Sequence, residues 1–181
     1  MLSTLRNAWK VPELRKRFLW TIFLVAIFRI GIHIPVPGID TSYLSSMTNS
    51  GGLLGFYNLI SGGALSKFSI FALSVSPYIN ASIIVQLLTI AIPSLEQLSK
   101  EGEEGRNKIQ SITRYASIAI GFVLAIGIYS MIAAQGAATG LSSAQKVVVL
   151  IALVVGSTFC MWLGDQITQK GFGNGVSILI F

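Results

Sequence analysis

The sequence is poor in charge. Asp, Glu, Lys and Arg make up 11% of its 181 residues, less than half the share usual in a soluble domain, about 25%. With 52% hydrophobic residues and a mean hydropathy of +0.71, that shortage argues against a soluble domain and for an integral membrane protein. Cysteine is nearly absent as well. Cys160 is the only one, so neither an internal disulfide nor a thiolate metal cluster can form within the chain. It lies in the apolar run VVVLIALVVGSTFCMWL and reads as a small packing residue. Histidine is also single, and no G-x-S-G accompanies His33, so the Ser–His pair of an intramembrane serine protease is missing. Trp162-Leu163-Gly164-Asp165 is part of an aspartyl-protease-like pattern, but no second Asp lies in any apolar run. Shared-proton chemistry needs two carboxylates. No catalytic, metal or cofactor site is expected.

What the sequence has instead is apolar runs close to membrane-spanning length, about 20 residues each. The first is 18–34, closed by the prolines of IPVPGID, which cannot continue a helix. The others are 77–93, 111–134 and 147–163, and a fifth begins at Val176 and reaches Phe181. The expected fold class is an all-α membrane bundle of four full spans and the start of a fifth. The N-terminus reads as uncleaved, because no small-residue cleavage pattern follows its long apolar run. Lys and Arg are unevenly placed. Arg6, Lys10, Arg15, Lys16 and Arg17, then Lys100, Arg106, Lys108, Arg114 and Lys170, fall on one side, against Lys67 and Lys146 on the other. The basic side is the cytosolic one, so the N-terminus is expected there. Segment 1–17 carries Leu2, Leu5 and Trp9 at helical spacing among basic residues. It fits either a helix lying on an anionic leaflet or a basic flank that only sets topology.

Residues 51–77, GGLLGFYNLISGGALSKFSIFALSVSP, are too broken for an ordinary span and too apolar for a surface loop. Ser76-Pro77 is a helix-start pair, a capping hydroxyl followed by proline. A short helix over 53–67 is therefore expected, then a connector, then a full helix from Pro77. Irregular backbone at membrane depth survives only where protein buries it or where it lines a water-filled cavity. The two readings are a re-entrant helix beside a pore or binding site and an external helix lying on the membrane. A second break, 164–175, contains Gly171, Gly173 and Gly175 between two apolar runs. That is not a phosphate loop, and it reads as a flexible cytosolic hinge.

The order FRIGIHIPVPGID, FYNLISGGALSKFSIFALSVSPYINASIIVQLL, KEGEEGRNKIQSITRY, MWLGDQITQKGFGNGVSILIF resembles the SecY family, the central subunit of the bacterial Sec protein-translocation channel. The resemblance covers the N-terminal half of the family pattern, in which ten spans form an inverted repeat. It implies that 53–67 is a plug closing the pore, its apolar side formed by Leu53, Leu54, Phe56, Leu59, Ile60 and Leu65 and its breaks by Gly62 and Gly63. It implies that Val75, Ile79, Val176 and Ile180 contribute to a ring of apolar side chains at the pore's waist, which would exclude water and yield to a passing chain. Asn80, Ile83 and Gln86 would line a lateral gate to lipid, with Gln86 needing a partner across a helix interface. The basic loop 94–110 and its neighbour, with Lys100, Arg106, Lys108 and Arg114, is a candidate contact for the SecA motor ATPase. The other implied partners are the C-terminal half of SecY, SecE and SecG, the ribosome (mainly through that other half), signal sequences and nascent polypeptide, and the bilayer of the bacterial cytoplasmic membrane. No direct nucleic-acid binding and no enzymatic activity are implied. The alternative from another class is a secondary transporter with broken helices. Carboxylates inside the spans would mark it, and Glu96 and Asp165 read as lying at span ends.

Overall fold

A computed structural model describes residues 11–39, 41–49, 52–134, 136 and 142–180. Among these the regular structure is helical: α1 (Pro12–Gly31), α2 (Thr41–Asn49), α3 (Gly52–Ile60), α4 (Ser76–Ala91), α5 (Pro93–Lys100), α6 (Glu103–Ala134), α7 (Ser143–Lys170) and α8 (Gly175–Ile180). The only strand-like pairing among the described residues is an isolated bridge, Pro35 to Ser69. Two helices, α6 and α7, are long and apolar enough to cross a membrane, and α4 with α5 adds a third if that bent pair is one span. Helix α1 is not among them: Arg17 and Arg29 bracket its apolar stretch FLWTIFLVAIF.

Several boundaries differ from the sequence pattern. The first helix stops at Gly31, before the apolar run does. The expected loop 94–110 is mostly helical: α5 occupies Pro93–Lys100, and α6 starts at Glu103, well before Ser111. Pro93 causes the break, because it has no N–H to give the helix and its ring disfavours helical backbone before it. Ile92 is accordingly extended (φ −109°, ψ 114°), and α5 leaves α4 at 101°. Likewise α7 overruns 147–163 at both ends, so the expected loop 164–175 shrinks to 171–174. Helix α2 had no counterpart in the sequence reading. The basic segment 1–10 lies outside the described residues.

The short helix expected over 53–67 is shorter than that. Helix α3 ends at Ile60, and Gly62 and Gly63 follow with φ of +65° and +86°. Only glycine takes this backbone without strain, and that stops the helix there. Residues 61–75 then run as consecutive turns. Ser76 does not cap α4. Val75 is the N-cap, no side chain bonds there, and Pro77 sits within the first turn.

The irregular segment is the centre of the molecule and not a surface connector. Leu65, Phe68, Ala72 and Leu73 pack with α6 and α7 residues such as Ala125, Ile132, Val149 and Leu153. Ala64, Phe71 and Val75 pack with Leu24, Phe28, Cys160 and Leu163 of α1 and α7. Its backbone polar groups find partners on the chain. The Phe68 carbonyl accepts from Val36 N (2.9 Å), Ile70 N donates to the Ile34 carbonyl (3.1 Å), and Ser69 N donates to the Ala64 carbonyl (3.0 Å). The Asn58 side chain accepts from Ser66 N (2.9 Å). Of the two environments in which a membrane protein tolerates broken backbone, this segment occupies the first, burial in protein.

Candidate functional site

Val75 and Ile79 stand one turn apart at the start of α4, with Ile79 N donating to the Val75 carbonyl (3.1 Å). Val176 and Ile180 stand one turn apart on α8. The i, i+4 spacing puts each pair on one helix face. Both faces meet one apolar cluster. Val75 is fully buried within it, and Ile79, Val176 and Ile180 pack against it partly exposed. Residues about a hundred positions apart thus border the same apolar cluster.

Helix α8 is held in place by its approach. Asn174 Oδ1 accepts from Val176 N (3.1 Å) and Ser177 N (3.3 Å), capping the helix. Gly175 N donates to Thr168 Oγ1 (2.9 Å) and Phe172 N to Thr21 Oγ1 (3.1 Å). The glycine-rich turn is therefore a tied crossing between α7 and α8, not the flexible hinge its composition suggested.

The plug candidates divide. Gly62 and Gly63 form the bend, Leu65 is buried in the core, and Ile60 is half-buried. Phe56 and Leu59 are 64% and 76% exposed, so on this chain they seal against nothing. Tyr57 turns inward instead, packs on the core and donates its hydroxyl to the Leu73 carbonyl (3.1 Å). Leu53 and Leu54 lie in α3, but their side chains fall outside what is described. Lys67 is exposed.

The gate candidates Asn80, Ile83 and Gln86 all lie exposed on α4, beside Ile84, Leu87 and Ile90. The partner of Gln86 is on its own helix: Nε2 donates to Ser82 Oγ (3.2 Å). The cross-helix partner expected from the sequence is absent among the described residues.

Of the basic candidates, Lys100, Arg106 and Lys108 are exposed. Lys100 pairs with Glu96 (2.6 Å) and Lys108 approaches Glu101 (4.0 Å). Arg114 is different. It lies inside α6 and meets Asp165 of α7 at 2.8 Å, where the Asp165 side chain is only 9% exposed. Gln110 Nε2 adds a bond to the same carboxylate (3.3 Å). So Arg114 braces two helices, and Asp165 is interior rather than at a span end.

The family model for SecY matches residues 69–181. The chain belongs to the SecY family. It is 46% identical over 182 residues to the protein translocase subunit SecY of Pseudomonas aeruginosa, covering 99% of this chain and 41% of that one. For SecY of Thermotoga maritima the identity is 42%, covering 100% and 44%, and for SecY of Escherichia coli K12 it is 45%, covering 93% and 40%. The chain thus spans about two-fifths of the length of these SecY relatives. Its fold is that of solved structures titled "Sec61 in the Canine ribosome-channel complex from the endoplasmic reticulum" and "The structure of a protein conducting channel", each with a TM-score of 0.68 at 20% identity over 97% of this chain. Those chains are covered to 40% and 39%. SecY membership together with the apolar helices makes this a multi-pass membrane protein.

The Arg114–Asp165–Gln110 brace was not anticipated from the sequence. A signal existed: Asp165 follows the apolar run 147–163 by two residues, and a carboxylate in or beside a membrane bundle calls for a partner on a neighbouring helix.

Proposed function

We propose that this chain forms the N-terminal half of a protein-conducting channel that moves unfolded polypeptide across, and membrane proteins into, the bacterial cytoplasmic membrane. The convergence of Val75, Ile79, Val176 and Ile180 on one cluster, at the starts of two helices, carries the reading. In it α1, α4, α6 and α7 are the four spans, α8 opens the fifth, α3 is the plug, and the exposed flank of α4 is one wall of the lateral gate. The basic residues at 12–17 and 100–108 keep the N-terminus cytosolic. The exposed Phe56 and Leu59 fit a plug whose remaining contacts come from the other half of an inverted-repeat channel. The family relation supports SecE, SecG, the SecA motor and the ribosome as partners, with the motor or ribosomal elongation supplying the energy and no chemistry performed here. A transporter reading would need a free carboxylate at membrane depth, and Asp165 is engaged by Arg114.

The test is the resting conductance of the full-length channel in planar bilayers. Ile79→Asn would wet the constriction and raise ion leak, and deletion of 52–60 would do the same. Unchanged leak in both variants, with assembly intact, would overturn the reading.

A further inference from the structure

Two residues other than glycine hold left-handed backbone in the turn segment, Phe68 (φ +40°) and Ser74 (φ +49°). Both are fully buried. A residue with a Cβ enters this region against a steric cost, and such backbone persists only where its surroundings hold it. Phe68 is held by its own contacts. Its side chain lies in the core, and its carbonyl accepts from Val36 N (2.9 Å). Ser74 carries a second cost. Its hydroxyl is buried without a partner, whereas a buried polar group normally has one. What fixes Ser74 is therefore its two neighbours. On one side the Leu73 carbonyl, part of the peptide unit that enters Ser74, accepts from the Tyr57 hydroxyl of α3 (3.1 Å) and from Ser76 N (3.2 Å). On the other side Val75 is fully buried in the cluster of Leu24, Phe28, Cys160 and Leu163.

The same residues have a second arrangement without either cost. Serine is a preferred helix N-cap, in extended backbone with its hydroxyl accepting from an N–H of the first turn. The N-cap of α4 is now Val75, where no side chain bonds. In extended backbone Ser74 would take over that place, and its hydroxyl would accept from Ser76 N. Strain and the unpaired hydroxyl would disappear together, and Val75 would become the first residue of the helix. We propose that Ser74 is a two-position backbone switch between α3 and Val75. The Tyr57 hydroxyl on the Leu73 carbonyl keeps it left-handed. When α3 moves away that bond is lost, Ser74 turns to the N-cap form, and Val75 rotates out of its cluster. The proposal rests on the channel reading, in which α3 is the plug and Val75 belongs to the ring.

The test measures the current that a synthetic signal peptide, below saturation, opens in the full-length channel in planar bilayers. Glycine takes left-handed backbone freely and caps no helix by a side chain. Ser74→Gly should therefore favour the closed form and lower the current by about fivefold or more. Tyr57→Phe keeps the ring and removes the bond that holds the switch, and should raise the current about fivefold. The two substitutions together should bring it back toward the parent value. Either single variant conducting like the parent would overturn the switch, including a Ser74→Gly protein that unfolds later but opens as before. A parent protein that the peptide does not open at all would overturn the channel reading, and the switch with it.

Discussion

Removing either partner of the Arg114–Asp165 pair should damage the fold, but unequally. The contact is 2.8 Å, with the Asp165 side chain 9% exposed and that of Arg114 38% exposed. Arg114→Met strands the carboxylate in the α6–α7 interface with one 3.3 Å bond from Gln110 as compensation. Breaking a buried pair this way costs about 3–5 kcal/mol, and we expect a loss near the lower value. Asp165→Asn strands the cation instead. The long Arg114 side chain can move its charge toward the aqueous edge, and solvent screening at its exposure reduces the loss, so about 1–2 kcal/mol is expected. Arg114→Met combined with Asp165→Leu removes both charges and should return to within about 1 kcal/mol of the parent protein. The assay is reversible unfolding of the full-length protein in mixed micelles, followed by a reporter on α7. The argument fails if Arg114→Met is no worse than Asp165→Asn, or if the double variant is as unstable as Arg114→Met.

Three other outcomes follow from particular contacts. Gly156→Ala would drive a methyl group into the Ile70 carbonyl, which the turn segment holds against α7. It should cost about 1–3 kcal/mol in the same unfolding assay, while Gly127→Ala, with open space at its Cβ, should cost nothing. Tyr57→Phe removes the 3.1 Å bond to Leu73 and should loosen the anchoring of α3 by about 1 kcal/mol, read as faster amide hydrogen exchange across 61–75. Gly63→Ala meets no neighbour but must hold φ +86°, so it should destabilise by about 1 kcal/mol through backbone strain alone, and a null result would mean the turn relaxes.

Much of the membrane architecture can be read without coordinates, because a bilayer imposes length and composition on any helix that crosses it. The apolar runs around 111–134 and 147–163 are α6 and α7 for that reason. Pro77 and Pro93 mark the start of α4 and its end for an equally local reason, the missing N–H and the fixed φ of proline. Gly62 and Gly63 end α3 because their positive φ is a property of two residues. The pore-ring candidates, by contrast, are singled out only by the family resemblance, since apolar i, i+4 pairs occur throughout membrane helices.

By itself, then, the sequence determined that this is a helical membrane chain, where its main breaks fall, and which family it joins. These features depend on a residue and its near neighbours, or on the solvent. The tertiary structure alone decided the rest. It turned FSIFALSV from a connector into the packed centre, because its apolar side chains pack against α1, α6 and α7 and its backbone pairs with the 34–36 strand-like turn through Phe68 and Ile70. It changed Arg114 from a free cytosolic cation to the partner of Asp165, fifty-one positions away. It also turned the glycine-rich 171–175 stretch from a hinge into a crossing tied to α1 through Thr21. In each case the deciding partner is remote in sequence, and only the packing of whole helices brings it within bonding distance.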